Sequence, residues 1–153
     1  MSLGDHFPHS VRNDIAQQRL VPGAVLYLPF VFPGEPRSKE KYMVIVAAIA
    51  PKLLLMTINT SINPIVANNP QLSRCNVVID QQSHPFLDYD SNLACHQVQI
   101  ADRVATERLL IGETDRYQGV ISDDIKKCIL QVIATAPSSV SKVNRDAITA
   151  ALS

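Results

Sequence analysis

Charge of one sign is what this sequence most plainly lacks. Fourteen Lys and Arg residues balance fourteen Asp and Glu, so the formal net charge is zero. Bulk charge therefore offers no attraction to nucleic acid or to an anionic membrane, and any anion site must be a local patch. Glycine is scarce, at five residues. Neither a Gly-rich phosphate loop nor a dinucleotide fingerprint is present. Tryptophan is absent, which limits base stacking to Tyr27, Tyr42 and Phe32. The three cysteines, Cys75, Cys95 and Cys128, are odd in number and widely spaced. They read as free thiols of a reducing, cytoplasmic compartment rather than as a disulfide framework. No apolar run reaches the roughly 20 residues of a membrane span. The longest, Met43 to Met56, is interrupted by Pro51 and Lys52. The start of the chain also lacks the basic-then-apolar layout of a signal peptide.

What is present is an apolar content of 46% against 18% charged residues over 153 positions. That suits one folded domain with a sizeable core and excludes a disordered chain. Ser10 to Leu20 reads as an amphipathic helix, capped by Ser10 and facing inward through Val11, Ile15 and Leu20, with Pro22-Gly23 ending it. Ala24 to Phe30 reads as a strand with Pro29 at its end or on an edge. Pro33 to Lys41 is a basic loop. Tyr42 to Ile49 is apolar at nearly every position, the pattern of a strand covered on both faces. Leu53 to Thr60 is the next strand.

Ser61 to Arg74 reads as a long loop, of the kind that is often functional. A short strand at Cys75 to Asp80, a polar loop at Gln81 to Asp90 and a strand at Asn92 to Ile100 follow. The spacing then predicts a turn at Ala101-Asp102-Arg103 and an extended piece from Arg108 to Ile111. Ser122, followed by Asp123 and Asp124, predicts a helix start. Ile125, Cys128, Ile129, Val132 and Ile133 form its apolar face, and Pro137 ends it. A last helix starts at Ser139 or Ser141, with Val143, Ala147, Ile148 and Ala151 inward. Short strands without intervening helices argue against a doubly wound sheet and predict an α+β domain, a barrel or sandwich with N-terminal and C-terminal helices added.

Chemistry-bearing residues are sparse. Adjacent strand residues point to opposite faces, so Cys95 and His96 cannot share a metal. His84 has no evident second ligand, and a structural role is expected for all four histidines. Asp88 with Asp90, and Asp123 with Asp124, are explained by solvation and by the helix dipole. No metal or cofactor is expected.

The order of four segments resembles the PemK/MazF family of toxin–antitoxin toxins. Gly23 to Phe30 is similar to the family's opening strand. Lys41 to Val46 stands where the family has Arg-Pro before an apolar strand. Leu54 to Ser61 is similar to its strand ending in Thr or Thr-Ser. His96-Gln97-Val98-Gln99-Ile100-Ala101-Asp102-Arg103 is similar to its Gln-Ile-Arg-Thr-x-Asp-Lys strand, followed by Gly119 to Asp123 in place of Gly-x-Leu-Ser. The resemblance covers about 23–136. It implies an SH3-like barrel of the CcdB/PemK kind, with a core at about 23–121 and helices at about 10–20, 123–136 and 140–152, in one domain spanning 1–153. It implies a homodimer, an antitoxin partner, and metal-independent endoribonuclease cleavage of single-stranded RNA.

On that reading Lys41 and Thr60 are catalytic, and Arg37, Lys39, Ser61, Gln97 and Gln99 bind RNA. Lys41-Tyr42 replaces the family's Arg-Pro, and Gln99 replaces an Arg. Lysine keeps the charge but loses the planar two-point grip on phosphate. A shift of one residue would bring Asn59 to the place of Thr60. The alternative expectation is a catalytically silent barrel that acts as a protein-binding module.

Overall fold

The computed structural model describes residues 9–32, 34–60, 67–135 and 140–153. In chain order the elements are α1 (His9–Arg19), β1 (Ala24–Phe30), β2 (Lys39–Ile49), β3 (Lys52–Asn59), the one-turn α2 (Pro70–Ser73), β4 (Asn76–Ile79), β5 (Ser91–Ala94), β6 (Gln99–Asp102), α3 (Arg103–Gly112), a 3-10 turn (Thr114–Arg116), β7 (Tyr117–Val120), α4 (Asp123–Ala134) and α5 (Lys142–Leu152). The fold is α+β. The seven strands form one curled antiparallel sheet, half of a barrel, in the order β4-β5-β3-β2-β1-β7, with β6 following β5 along the same edge of β3.

The nearly unbroken apolar run in β2 has a direct physical cause. Side chains alternate across a strand, and both faces are covered. Met43 and Ile45 join Leu26, Leu28, Leu53, Leu55, Ala16, Leu20 and Leu110 in a core under α1 and α3. Val44 and Val46 join Met56, Ile58, Ile129, Ile133 and Ile148 in a second core under α4 and α5. Burying side chains of this size contributes roughly 1.5–3 kcal/mol each.

The two edges of the curled sheet are joined by a side chain. His84 lies in the loop after β4 and is 1% exposed. The Ser122 N–H, just past β7, donates to its Nε2 at 3.1 Å. That leaves the ring proton on Nδ1, which donates to the Asp80 carbonyl at 2.9 Å. Phe86 from the same loop packs on Tyr42 at 5.9 Å between centroids and lies close to Gly119. Gly119 has φ +137, a conformation side chains rarely adopt.

Several expectations are corrected. The strand expected over Asn92 to Ile100 is two strands, broken at Cys95-His96. Its polar–apolar alternation belongs only to the second half, and the two pieces share the edge of β3. Asp102 does not hold a turn. It caps α3, accepting from the Ala105 N–H at 2.8 Å, and that helix runs through Arg108 to Ile111, where an extended piece was expected. Residues 70–73 of the long loop are helical, opened by Asn69, whose Oδ1 accepts from the Gln71 N–H. Helix α1 starts before Ser10; Ala16 within it and Leu20 just past its end are buried, and Val11 is exposed.

Cys128 is exposed, because α4 buries the narrower stripe Ile125, Ile129 and Ile133. In α5 the buried residues are Ile148 and Leu152, while Val143 is 69% exposed. Ser141 is the cap of α5, and Ser139 and Pro137 lie outside the described residues. Ser122 caps α4 as expected. Pro29 sits where β1 has run past the end of β7, so its missing N–H costs no ladder bond.

Candidate functional site

Lys41 was expected at the edge of a loop, but β2 begins at Lys39 and places it inside the strand. By alternation it shares the face of Met43, as Asn59 on β3 shares that of Thr57. The Thr57 hydroxyl confirms the facing, donating to Met43 Sδ at 3.5 Å. Lys41 Nζ donates to Asn59 Oδ1 at 3.4 Å, a long and therefore weak bond. Among the described residues no carboxylate lies within ion-pairing distance of Lys41. Thr60 is exposed at a bend just past β3, and no hydrogen bond joins it to Lys41. Asn59, the alternative at this register, is the residue that meets the lysine.

The basic loop flanks this end of the sheet. Arg37 is exposed. Lys39 pairs with Glu35 at 3.6 Å, but both side chains are about half exposed, so the pair adds little stability. Ser61 lies outside the described residues. Gln97 and Gln99 are not brought to Lys41. Gln99 pairs with Leu55 and Asn92 with Asn59, so Gln99 lies four residues along β3, roughly 13 Å away. Gln97 is exposed in the connection between β5 and β6.

A cation that the sequence reading missed is Arg116. It is part-buried and fully engaged: Nη1 donates to the Tyr27 carbonyl at 2.8 Å, Nη2 to Glu40 at 2.9 Å and Nε to Glu113 at 2.7 Å. Burial disfavours its charge, but the hydrogen bonds to Glu113 and Glu40 outweigh that and raise its pKa. It clamps the 3-10 turn to the β1–β2 hairpin and is not available to an incoming anion. Nothing local in the sequence separates it from any other surface arginine, since its partners are 3, 76 and 89 residues away.

Tyr42 points to the other face. Its ring packs on Tyr27 at 4.8 Å and on Phe86, and its hydroxyl donates to the Phe86 carbonyl at 3.3 Å. Burial, then the charge of Asp88 and the neighbouring Tyr27, raise its pKa. The hydroxyl is a fixed donor and the ring is a packing element, not an open stacking platform.

Cys95 is fully buried. Burial, with smaller contributions from Cys75 and Cys128, pushes its thiol up to about 12, so it holds no thiolate near neutrality. His96 is buried beside it, and burial lowers its pKa. Among the described residues no three His, Cys, Asp or Glu side chains gather as a metal site, and no helix is long and apolar enough to cross a membrane. The chain matches no protein-family model and no curated protein sequence.

Proposed function

We propose that this chain is a catalytically silent binding module on a PemK/MazF-like, SH3-like half-barrel, and that it docks an anionic segment of a partner protein where Lys41 and Asn59 meet. The observation behind this reading is the company Lys41 keeps. Cutting RNA requires a base for the ribose 2′-hydroxyl, a cation for the phosphorane and an acid for the leaving oxygen. Lys41 supplies the cation. An Asn59 amide neither takes nor gives a proton. Thr60 is not joined to the lysine, and His84, buried and bonded on both nitrogens, belongs to the frame. A lysine held only by a neutral amide, flanked by exposed Arg37 and Lys39, is suited to receiving a carboxylate.

The runner-up reading is a metal-independent endoribonuclease toxin with an antitoxin partner. The same uncompensated ammonium favours it, since a phosphate would fill that place equally well. Two assays on the purified chain and on Lys41→Ala separate the readings. A labelled Glu-rich peptide should bind the wild type, and Lys41→Ala should weaken binding about tenfold or more. Mixed single-stranded RNA in EDTA should stay intact with both proteins. Cutting by the wild type and not by the variant would overturn the silent-module reading in favour of the ribonuclease.

A further inference from the structure

Strands β4 and β5 lie outside the four segments that carry the PemK/MazF resemblance, and they extend the row in which Lys41 stands. Residues opposite each other in an antiparallel ladder present their side chains on one face. Lys41 meets Asn59 across β2 and β3. Asn59 is opposite Asn92 of β5, and Asn92 is opposite Val78 of β4. Four neighbouring strands therefore set Lys41, Asn59, Asn92 and Val78 in one row. The row lies on the face of α1 and α3. The core under those helices takes residues from β1, β2 and β3 but none from β4 or β5. Val77, Ile79 and Leu93 of these two strands turn to the other core.

Lys41, Asn59 and Asn92 are half-buried, and Val78 is 63% exposed. The Asn92 amide has no partner among the described residues. An asparagine amide both donates and accepts, so it can meet the N–H and C=O groups of an extended chain. Val78 adds an apolar contact at the far end of the row. No aromatic side chain stands in the row for a base to stack on. Tyr42 is turned to the other face, and Phe30 packs on Phe32. These groups fit a peptide better than a nucleic acid.

We infer that the anionic segment docks in extended form across these four strands, with its carboxylate on Lys41, a polar side chain between Asn59 and Asn92, and an apolar side chain on Val78. This rests on the binding-module reading and adds to it what the segment must contain. Neighbouring strands lie about 4.8 Å apart, so the row from Lys41 to Val78 spans roughly 14 Å. An extended chain rises about 3.4 Å per residue, so about four residues cover that distance. Residues i, i+2 and i+4 of an extended chain share one side. The segment thus carries an acid, a polar residue and an apolar residue at alternate positions. Charge sets the acid at the β2 end. Arg37 and Lys39 flank Lys41 there, whereas Asp80 and Asp90, at the ends of β4 and β5, repel a carboxylate from the Val78 end.

NMR titration of the isotope-labelled full chain tests this. One short peptide carries a glutamate, a glutamine and a leucine at alternate positions. A control peptide moves the leucine by one residue, so that it faces away from the sheet. The first peptide should shift amide signals of β2, β3, β5 and β4 and bind at least about fivefold tighter than the control, the leucine contact being the difference. Val78→Thr suits a strand and keeps the side chain's shape, and it should abolish that preference. Asn92→Ala should weaken the first peptide about threefold or more through the lost amide bonds. If Lys41→Ala leaves binding unchanged, the binding-module reading itself falls. If Lys41→Ala weakens the peptide while Val78→Thr and Asn92→Ala do not, this inference alone is overturned. Single-stranded RNA that binds the same row more tightly than the peptide would overturn it too, as would shifts there that grow with protein concentration alone, the mark of a second copy.

Discussion

The seam that joins the sheet edges and the end where Lys41 lies are both built from polar side chains, yet they are organised in opposite ways. At the seam the central polar groups have partners inside the fold: His84 bonds on both nitrogens and Tyr42 bonds to the Phe86 carbonyl. The groups come from segments 38 and 44 residues apart. At the other end Lys41 has one long bond to an amide, and Arg37 and Thr60 face solvent. The contrast teaches where polar chemistry is already committed to structure and where it is still open to a ligand. An unmade bond in a buried place costs far more than one in a wet place.

The largest effect should come from breaking the seam. His84→Leu leaves the Ser122 N–H without its acceptor at the start of α4 and removes the tie across the sheet. A loss of about 3 kcal/mol is expected, from one unsatisfied buried donor together with imperfect packing. Urea unfolding followed by circular dichroism measures it. A loss under about 1 kcal/mol would mean that the edges are held together by the apolar cores alone. Tyr42→Phe comes next. It keeps the ring against Tyr27 and Phe86 and deletes only the hydroxyl bond, so about 1 kcal/mol should go. A neutral result would show that the ring contacts alone secure this side chain.

These long-range ties are also what the sequence hid. Ser122 as a cap was legible because it is followed at once by two acids and an apolar stripe, all within one turn. Helix α3 was missed although Asp102 heads a stretch of good helix formers, because Ala101-Asp102-Arg103 reads equally well as a turn and the apolar end at Arg108 to Ile111 as an extended piece. The buried face of α4 was drawn too wide, since apolar spacing admitted Cys128, whereas the fully buried positions are the i, i+4 series Ile125, Ile129 and Ile133, with Val132 half-buried beside them. Within the candidate site, Lys41 and its flanking loop were legible as a local basic cluster. Its partner was not, because choosing between Asn59 and Thr60 needs the register of β2 against β3, and one residue reverses the facing. Arg116 and His84 could not be read at all, since their roles depend on which distant segments come to lie beside them.

The two buried histidines sharpen the comparison further. His84 has a partner for each nitrogen. His96 is also buried, though less deeply, and its Nδ1 has no partner among the described residues. Burial lowers the pKa of His96 below its ordinary 6.5. The sign follows directly: the folded state prefers the neutral ring, while the unfolded chain protonates at the ordinary value. Stability is therefore full above about pH 6.5 and falls as the pH drops, until the folded ring also takes a proton. His96→Phe should flatten that part of the stability–pH curve and leave the melting temperature at pH 8 within a few degrees of wild type. An unchanged slope would assign the acid sensitivity to other groups, such as Asp80. Its hydrogen bonds from Ser83 lower its pKa and act in a lower window, below about pH 4.

The smallest effect on stability should come from Lys41→Gln, and its smallness is the point. The bond it removes is 3.4 Å long and half in water, so less than about 0.5 kcal/mol should be lost. Glutamine can still reach Asn59, but it brings no charge to an incoming carboxylate or phosphate. Stability and peptide binding should therefore separate: the melting curve barely moves, while affinity for the Glu-rich peptide falls and depends less on salt. At the seam the two cannot separate, because the same atoms hold the sheet closed. If Lys41→Gln cost as much stability as Tyr42→Phe, the lysine would belong to the frame as His84 does. The place where Lys41 and Asn59 meet would then be committed to structure, and the binding assignment to it would fall.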